Sequence, residues 1–191
     1  MRGAIELYFV TGNEHKLREA SGILAPYGIR VVRLYERKLE VQSDSLEEIA
    51  RIAAESIERK DILFFVEDAG LFIRALNGFP GPYSSYVYKT IGLEGVLKLM
   101  KGVTDRSAVF RSVVALNVPR VGIKIFTGEV HGTIAEDIRG THGFGFDPIF
   151  IPSGSNRTFA EMTPYEKNKV SHRAISLTKM AEWLISNSQQ Q

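Results

Sequence analysis

Two stretches far apart in the chain carry residue types suited to gripping a planar, charged ligand. The first is Gly143-Phe144-Gly145-Phe146-Asp147-Pro148, followed downstream by Lys167 and by Ser171-His172-Arg173. Glycine lets the backbone turn sharply and come close to a ligand. The two phenylalanines offer flat faces, and Lys167, His172 and Arg173 offer donors to an oxygen-bearing ring. Alone, this stretch would also suit a glycine-rich turn ahead of a strand. The second is Thr11-Gly12-Asn13-Glu14-His15-Lys16, which follows an apolar run from Ile5 and precedes Leu17, Ala20 and Leu24 at helical spacing. A strand, a short polar turn and a helix start make an anion site, because free backbone N–H groups and the helix dipole face the ligand. Asn13 suits the N-cap, and Lys16 can add a point charge to a phosphate. Neither a Gly-x-x-x-x-Gly-Lys-Ser/Thr loop nor a Gly-x-Gly-x-x-Gly fingerprint occurs in the chain.

Carboxylates for chemistry are fewer. Glu67 and Asp68 follow the apolar run 62–66, which reads as a strand buried on both faces. They are expected at its carboxyl end, where α/β sheets gather ligands. A charge there needs a partner, and Mg²⁺ suits it, since that ion takes a few carboxylate oxygens, waters and substrate phosphates. Glu40, in Leu39-Glu40-Val41-Gln42, is the other candidate, although alone it reads as a solvated side chain.

Six blocks stand in order along the chain: Thr11-Gly12-Asn13 with Lys16; Glu67-Asp68-Ala69-Gly70-Leu71; Gly78-Phe79-Pro80-Gly81 with Tyr83-Ser84; Gly143 to Pro148; Phe159-Ala160-Glu161-Met162; and Glu166-Lys167-Asn168 leading to Ser171-His172-Arg173. Together they resemble the inosine triphosphate pyrophosphatase family, which hydrolyses non-standard purine nucleoside triphosphates. The resemblance implies an α/β fold, an elongated mixed sheet in two lobes flanked by helices, with the nucleotide cleft between the lobes. It implies that Glu40 and Asp68 hold Mg²⁺, that Asp68 is the base for water, and that Glu67 has a supporting role. Thr11, Gly12, Asn13, Glu14, His15 and Lys16 would meet the phosphates, and Ala69 would also bind the substrate. Phe144 would stack on the base, with Gly145, Phe146, Asp147, Lys167, His172 and Arg173 around it. Many relatives carry Ser where this chain has Ala69, so contact there must come from the backbone. The expected reaction is attack of water at the α-phosphorus of ITP, dITP or XTP, giving the monophosphate and pyrophosphate. A homodimer is implied too. Two other readings remain open at this point: a nucleotide hydrolase of different base preference, and a nucleotide- or RNA-binding protein without turnover.

The elements must position these groups. Strand and helix signals alternate at first, with a second strand at 30–34 and a helix opened by the capping pattern Ser45-Leu46-Glu47-Glu48. Segment 77–83 is dense in Gly and Pro and reads as a loop. A short helix is expected over 92–100, then an antiparallel hairpin from 108–118 and 122–130. Thr163-Pro164-Tyr165-Glu166 announces another helix. Ser171 can cap the last one, and 186–191 reads as a frayed polar tail. With 191 residues and no linker, one domain suffices. The chain has no cysteine, which removes thiolate chemistry and disulfides, and its net charge of +2 is too small to argue for nucleic acid. No stretch is long enough to span a bilayer, so the expectation is a cytoplasmic protein without membrane or nucleic-acid partners.

Overall fold

The computed structural model describes residues 5–188. Strand β1 (Ile5–Val10) leads through the polar turn into helix α1 (Glu14–Leu24), and β2 (Ile29–Leu34) returns parallel to β1. Helix α2 (Leu46–Glu55) starts at Ser45, whose hydroxyl accepts the Glu48 N–H, as the capping pattern requires. Strand β3 (Phe64–Ile73) then enters the sheet, followed by the short β4 (Pro80–Gly81), α3 (Ser84–Thr90) and α4 (Gly92–Leu99). The expected hairpin is β5 (Ser107–Val118) with β6 (Gly122–Ile134), and β7 (Phe150–Pro152) closes the sheet. Helices α5 (Pro164–Val170) and α6 (His172–Ser188) end the described chain. Helix α6 thus runs into the segment read as a frayed tail, and residues 189–191 lie outside the described residues. Helix α3 has no counterpart in the sequence reading of this Gly/Pro-rich region, and it begins where Tyr83 leaves the loop.

Strand order is β2-β1-β3-β5-β6-β7, with β4 paired to β3. Two cores sandwich the parallel end of this mixed sheet. On one face Leu7, Phe9, Phe65, Val114 and Leu116 meet α1 and α6 through Ile23, Leu24, Leu177 and Met180. On the other, Val10, Phe64, Val66 and Val113 meet α2 through Leu46, Ala50 and Ala53. A third core fills the far lobe, where Leu71, Ile73 and Phe110 pack with Val87, Val96, Phe150 and Phe159. The long strands β3, β5 and β6 cross from one lobe to the other.

One expectation needs correcting. Glu67 and Asp68 do not end a strand; they sit in the middle of the ten-residue β3. The apolar run stops at Val66 because β1 stops covering it: β1 pairs with β3 only at Tyr8–Phe64 and Phe9–Phe65. Beyond that point β3 continues antiparallel to β5, with Glu67 opposite Val114 and Asp68 opposite Val113. The polar pair therefore lies past the carboxyl end of β1, where the sheet opens between lobes. Successive strand residues face opposite sides, so Glu67 turns toward α1 and α6, and Asp68 toward the α2 side.

Candidate active site

The β1–α1 turn is built by its own side chains. Asn13 is extended and caps α1, its Oδ1 accepting the N–H groups of His15 (2.9 Å) and Lys16 (3.2 Å). Thr11 Oγ1 accepts the Asn13 N–H at 3.0 Å. A Cβ added at Gly12 would meet nothing within 4 Å, so the turn faces open space there. A cavity of about 430 Å³ adjoins it, lined by Val10, Thr11, Gly12, Tyr35, Lys38 and Glu40 among others. Glu14 is exposed and pairs with Arg33 on β2.

The 143–147 loop is equally determined by its residues. Gly143 has φ +73°, and a Cβ there would lie 2.1 Å from Asp147 Oδ2. That oxygen instead accepts the Phe144 N–H at 2.8 Å and so closes the loop. The loop turns the two phenylalanines apart. Phe144 remains half-buried at the surface, whereas Phe146 is 3% exposed and packs in the far core, edge-on to Tyr88. Of the two flat faces expected at the site, the structure keeps Phe144 at the site and commits Phe146 to packing. His15 stacks on Phe144, ring centroids 5.0 Å apart, so the two sequence stretches touch directly.

Beneath them runs a line of alternating charges. Lys16 Nζ lies 2.8 Å from Glu67 Oε2 and also donates to the Glu67 carbonyl. Glu67 Oε1 accepts from Ser112 Oγ (2.7 Å) and faces Arg173 Nη2 at 3.1 Å. Arg173 Nη1 pairs with Glu19, which pairs in turn with Lys167 at 2.6 Å; Lys167 reaches Asp147 at 2.5 Å. Both Lys167 and Arg173 sit near the Phe144 ring, 5.1 and 5.4 Å from its centroid. Three cations and three carboxylates thus link the phosphate-type turn to the aromatic loop. Burying six charges is tolerable only because each is paired and hydrogen-bonded.

The electrostatics follow from this geometry. Burial pushes the Glu67 carboxyl up, but Arg173, Lys16 and the Ser112 hydroxyl outweigh it and hold it well below the usual range. Glu19 behaves alike: burial opposes its charge, while Arg173 and Lys167 prevail. For Asp68, burial wins and its pKa is raised; Lys16 and Lys38 oppose the rise, and Glu67 adds to it. Asp147 is also raised by burial, against the ammonium of Lys167. His172 does not project into an open pocket. It is buried, stacked on Phe110 at 4.3 Å, and burial drives its pKa well below the ordinary value, so it is neutral.

The acidic pair expected for a metal is less assembled. Asp68 is half-buried on β3 with Oδ1 accepting the Ala69 N–H at 2.9 Å, while the Glu40 side chain is 82% exposed on the loop after β2. Among the described residues no group of three or more His, Asp or Glu side chains forms a ready cage. Lys38 connects the two acids: its Nζ is 3.1 Å from Glu40 Oε1, and its charge also acts on Asp68. Sequence reading missed Lys38, and it missed Glu19, the central carboxylate of the buried line. The signal for Glu19 was its place three residues after Lys16 on α1, hence on the same helix face. Arg106 is half-buried and structural, donating to the carbonyls of Met100, Ile134 and Ala135.

Residues 7–183 match the profile of the Ham1 family. The chain belongs to the Ham1 family. Its relatives include the dITP/XTP pyrophosphatase of Methanopyrus kandleri, 54% identical over 96% of this chain and 98% of that one. That of Ignicoccus hospitalis is 51% identical over 94% and 96%. Among solved structures, a HAM1 protein from Coxiella burnetii superposes with TM-score 0.82 at 32% identity, covering 95% of this chain and 99% of that one. The family and the α/β fold with a mixed, helix-flanked sheet, expected from the six blocks, are both borne out.

Proposed function

We propose that this Ham1-family chain is a nucleoside triphosphate pyrophosphohydrolase acting on ITP, dITP and XTP, releasing the monophosphate and pyrophosphate. The observation that carries this reading is the convergence of Lys16, on the phosphate-type turn, and Lys167 and Arg173, beside Phe144, on one buried set of carboxylates. Such a site has a phosphate end and a base end at fixed separation. Its relatives from Methanopyrus kandleri and Ignicoccus hospitalis carry the name dITP/XTP pyrophosphatase.

At the base end, stacking falls to Phe144. Arg173 gives Nε and Nη2 to Glu67 and Nη1 to Glu19, which leaves further N–H groups on the terminal nitrogens for a ring oxygen. Hypoxanthine and xanthine present an acceptor at C6; adenine presents an amino donor there and would leave these cations unmatched. At the phosphate end, the Thr11–Lys16 turn and Lys16 hold the triphosphate by electrostatics. Asp68 orients water toward the α-phosphorus and accepts its proton as the bond to the bridging oxygen breaks, the electron pair leaving with pyrophosphate. The raised pKa of Asp68 makes it a stronger base than an exposed aspartate.

The residues fit Mg²⁺. Asp68 makes no ion pair among the described residues, and its charge is disfavoured by burial and by Glu67. Hard carboxylate oxygens are that ion's ligands, the rest being water and phosphate. When bound, Mg²⁺ supplies phosphate charge neutralisation and a lowered pKa for water. We take the working unit to be a homodimer acting in the cytoplasm. No helix among the described residues is long and apolar enough to cross a membrane.

The test is incubation with Mg²⁺ and, separately, ITP, XTP, dITP, GTP, ATP, UTP and dUTP, quantifying pyrophosphate apart from orthophosphate. Pyrophosphate from ITP, dITP and XTP, lost in Asp68→Asn, is the expected result. Orthophosphate as product, or turnover of the pyrimidine nucleotides, would sink it.

A further inference from the structure

Glu67 lies at the junction of the two ends of the site, and this is more than the supporting part expected of it. Its side chain has no exposure to solvent, and its two oxygens are divided between partners. Oε2 holds Lys16 at 2.8 Å; Oε1 holds Arg173 through Nε at 3.2 Å and Nη2 at 3.1 Å. Ser112, itself bound to Ser176 on α6 at 3.0 Å, fixes Oε1 from below at 2.7 Å. The Glu67 carbonyl accepts a hydrogen bond from the Lys16 ammonium at 3.2 Å, while Oε2 faces it as an ion pair. Glu67 thus holds the Lys16 ammonium at two points, its carbonyl and the charge on Oε2.

We propose that Glu67 is a positioning residue that couples base recognition to the phosphate grip. The inference rests on the functional reading above. A carboxylate is planar and rigid, so its two oxygens move together. When a C6 oxygen engages Arg173, the guanidinium is fixed against Oε1, and Oε2 is thereby fixed under Lys16. Without that oxygen Arg173 retains only its carboxylate contacts, and the Lys16 ammonium is held less well at the phosphates. Displacements near 1 Å at a reacting group can cost about a hundredfold in rate. Binding energy from a remote part of the substrate is then expressed in turnover as well as affinity. Selection against a base lacking the C6 oxygen should accordingly appear in kcat, where a simple pocket would show it in KM alone.

The experiment compares ITP with purine riboside triphosphate, which has hydrogen at C6, under Mg²⁺, for the unaltered chain and for Glu67→Gln. Glutamine keeps the size and one acceptor but removes the charge that both cations share. In the unaltered chain the analogue should lose at least tenfold in kcat in addition to its rise in KM. In Glu67→Gln, ITP itself should fall by at least tenfold in kcat, and the kcat ratio between the two substrates should close to within about twofold. A merely structural Glu67 would lower both substrates by the same factor and leave that ratio unchanged, which overturns the proposal. Should Glu67→Gln fail to fold, the unaltered chain still decides: equal kcat on both substrates overturns coupling, and a tenfold kcat loss supports it. Absence of pyrophosphate from ITP would overturn the functional reading and this inference with it, whereas pyrophosphate release with a base-independent kcat overturns this inference alone.

Discussion

Removing a charge from water is costly, and the six ionised side chains between Lys16 and Asp147 are tolerated because none lacks an opposite partner. Substitutions at the base end should therefore separate binding from stability. Lys167→Met would strand Asp147, leave Glu19 with Arg173 alone, and should cost about 3–5 kcal/mol in urea unfolding. Phe144→Ala, at a half-buried loop position, should cost little stability yet raise KM for ITP about tenfold, given about 1–3 kcal/mol for stacking one base on an aromatic ring. Equal effects of the two substitutions on stability would contradict this. Acid stability follows from the same carboxylates. Glu19 and Glu67 titrate below their ordinary values in the folded chain. Each thus contributes stability above the unfolded value of about 4.3, and that contribution fades as pH falls through it toward the lower folded value. Asp68 and Asp147, raised by burial, act in the opposite sense. The fall in Tm from pH 5 to pH 3 should be shallower in Glu67→Gln than in the unaltered chain; an identical slope would mean that Glu67 does not carry the charge. Lys16, Lys167 and Arg173 were legible in the sequence because they stand in short motifs. Glu19 was not, since a glutamate on a helix ordinarily points to water and only the tertiary approach of α5 and α6 buries this one.

At the scale of elements, what matters is how each turn brings its groups to bear. The capping signals at Asn13, Ser45 and Thr163 were readable because an N-cap is a local arrangement of one side chain and nearby amides. The middle position of Glu67 and Asp68 in β3 was not readable, because it depends on where the neighbouring β1 ends. The 143–147 loop gives a sharp test of local reasoning. Gly143 and Gly145 both hold positive φ, +73° and +61°. Around Gly145 an added Cβ meets nothing, whereas at Gly143 it collides with the Asp147 carboxylate that binds Lys167. Gly145→Ala should cost only the left-handed backbone penalty, about 1–2 kcal/mol. Gly143→Ala should cost more and also raise KM for ITP by displacing Asp147 and Phe144. Thermal unfolding and steady-state kinetics of the pair check this, and a reversed order would show that Asp147 is free to move aside.

Across the whole molecule, the far lobe presents an unusual surface. Phe79, Tyr83, Tyr86, Tyr88 and Ile91 are between 39% and 69% exposed within a short span around α3. Aromatic groups clustered in this way commonly mark an interface, since a ring contributes large contact area with little loss of side-chain freedom. The motif Gly78-Phe79-Pro80-Gly81 is suited either to shaping the cleft or to a dimer contact. Within the chain the loop extends the sheet, since Leu71 and Phe72 of β3 pair with Gly81 and Pro80. The Ser84 hydroxyl accepts the buried Leu71 N–H and donates to the Gly81 carbonyl, which anchors the start of α3 and holds its tyrosines outward. If this face joins two copies, the chain should sediment at twice its mass at micromolar concentration. Tyr86→Glu, at the most exposed of these positions, should then give a monomer whose Tm is nearly unchanged, because that side chain makes little contact within its own chain. Charge placed in a buried interface core is disfavoured, whereas on a free surface it is neutral. An unaltered chain that sediments as a monomer, or a Tyr83→Glu/Tyr86→Glu double substitution that remains dimeric, would place the contact elsewhere. The exposed rings would then answer only to the anchoring of α3.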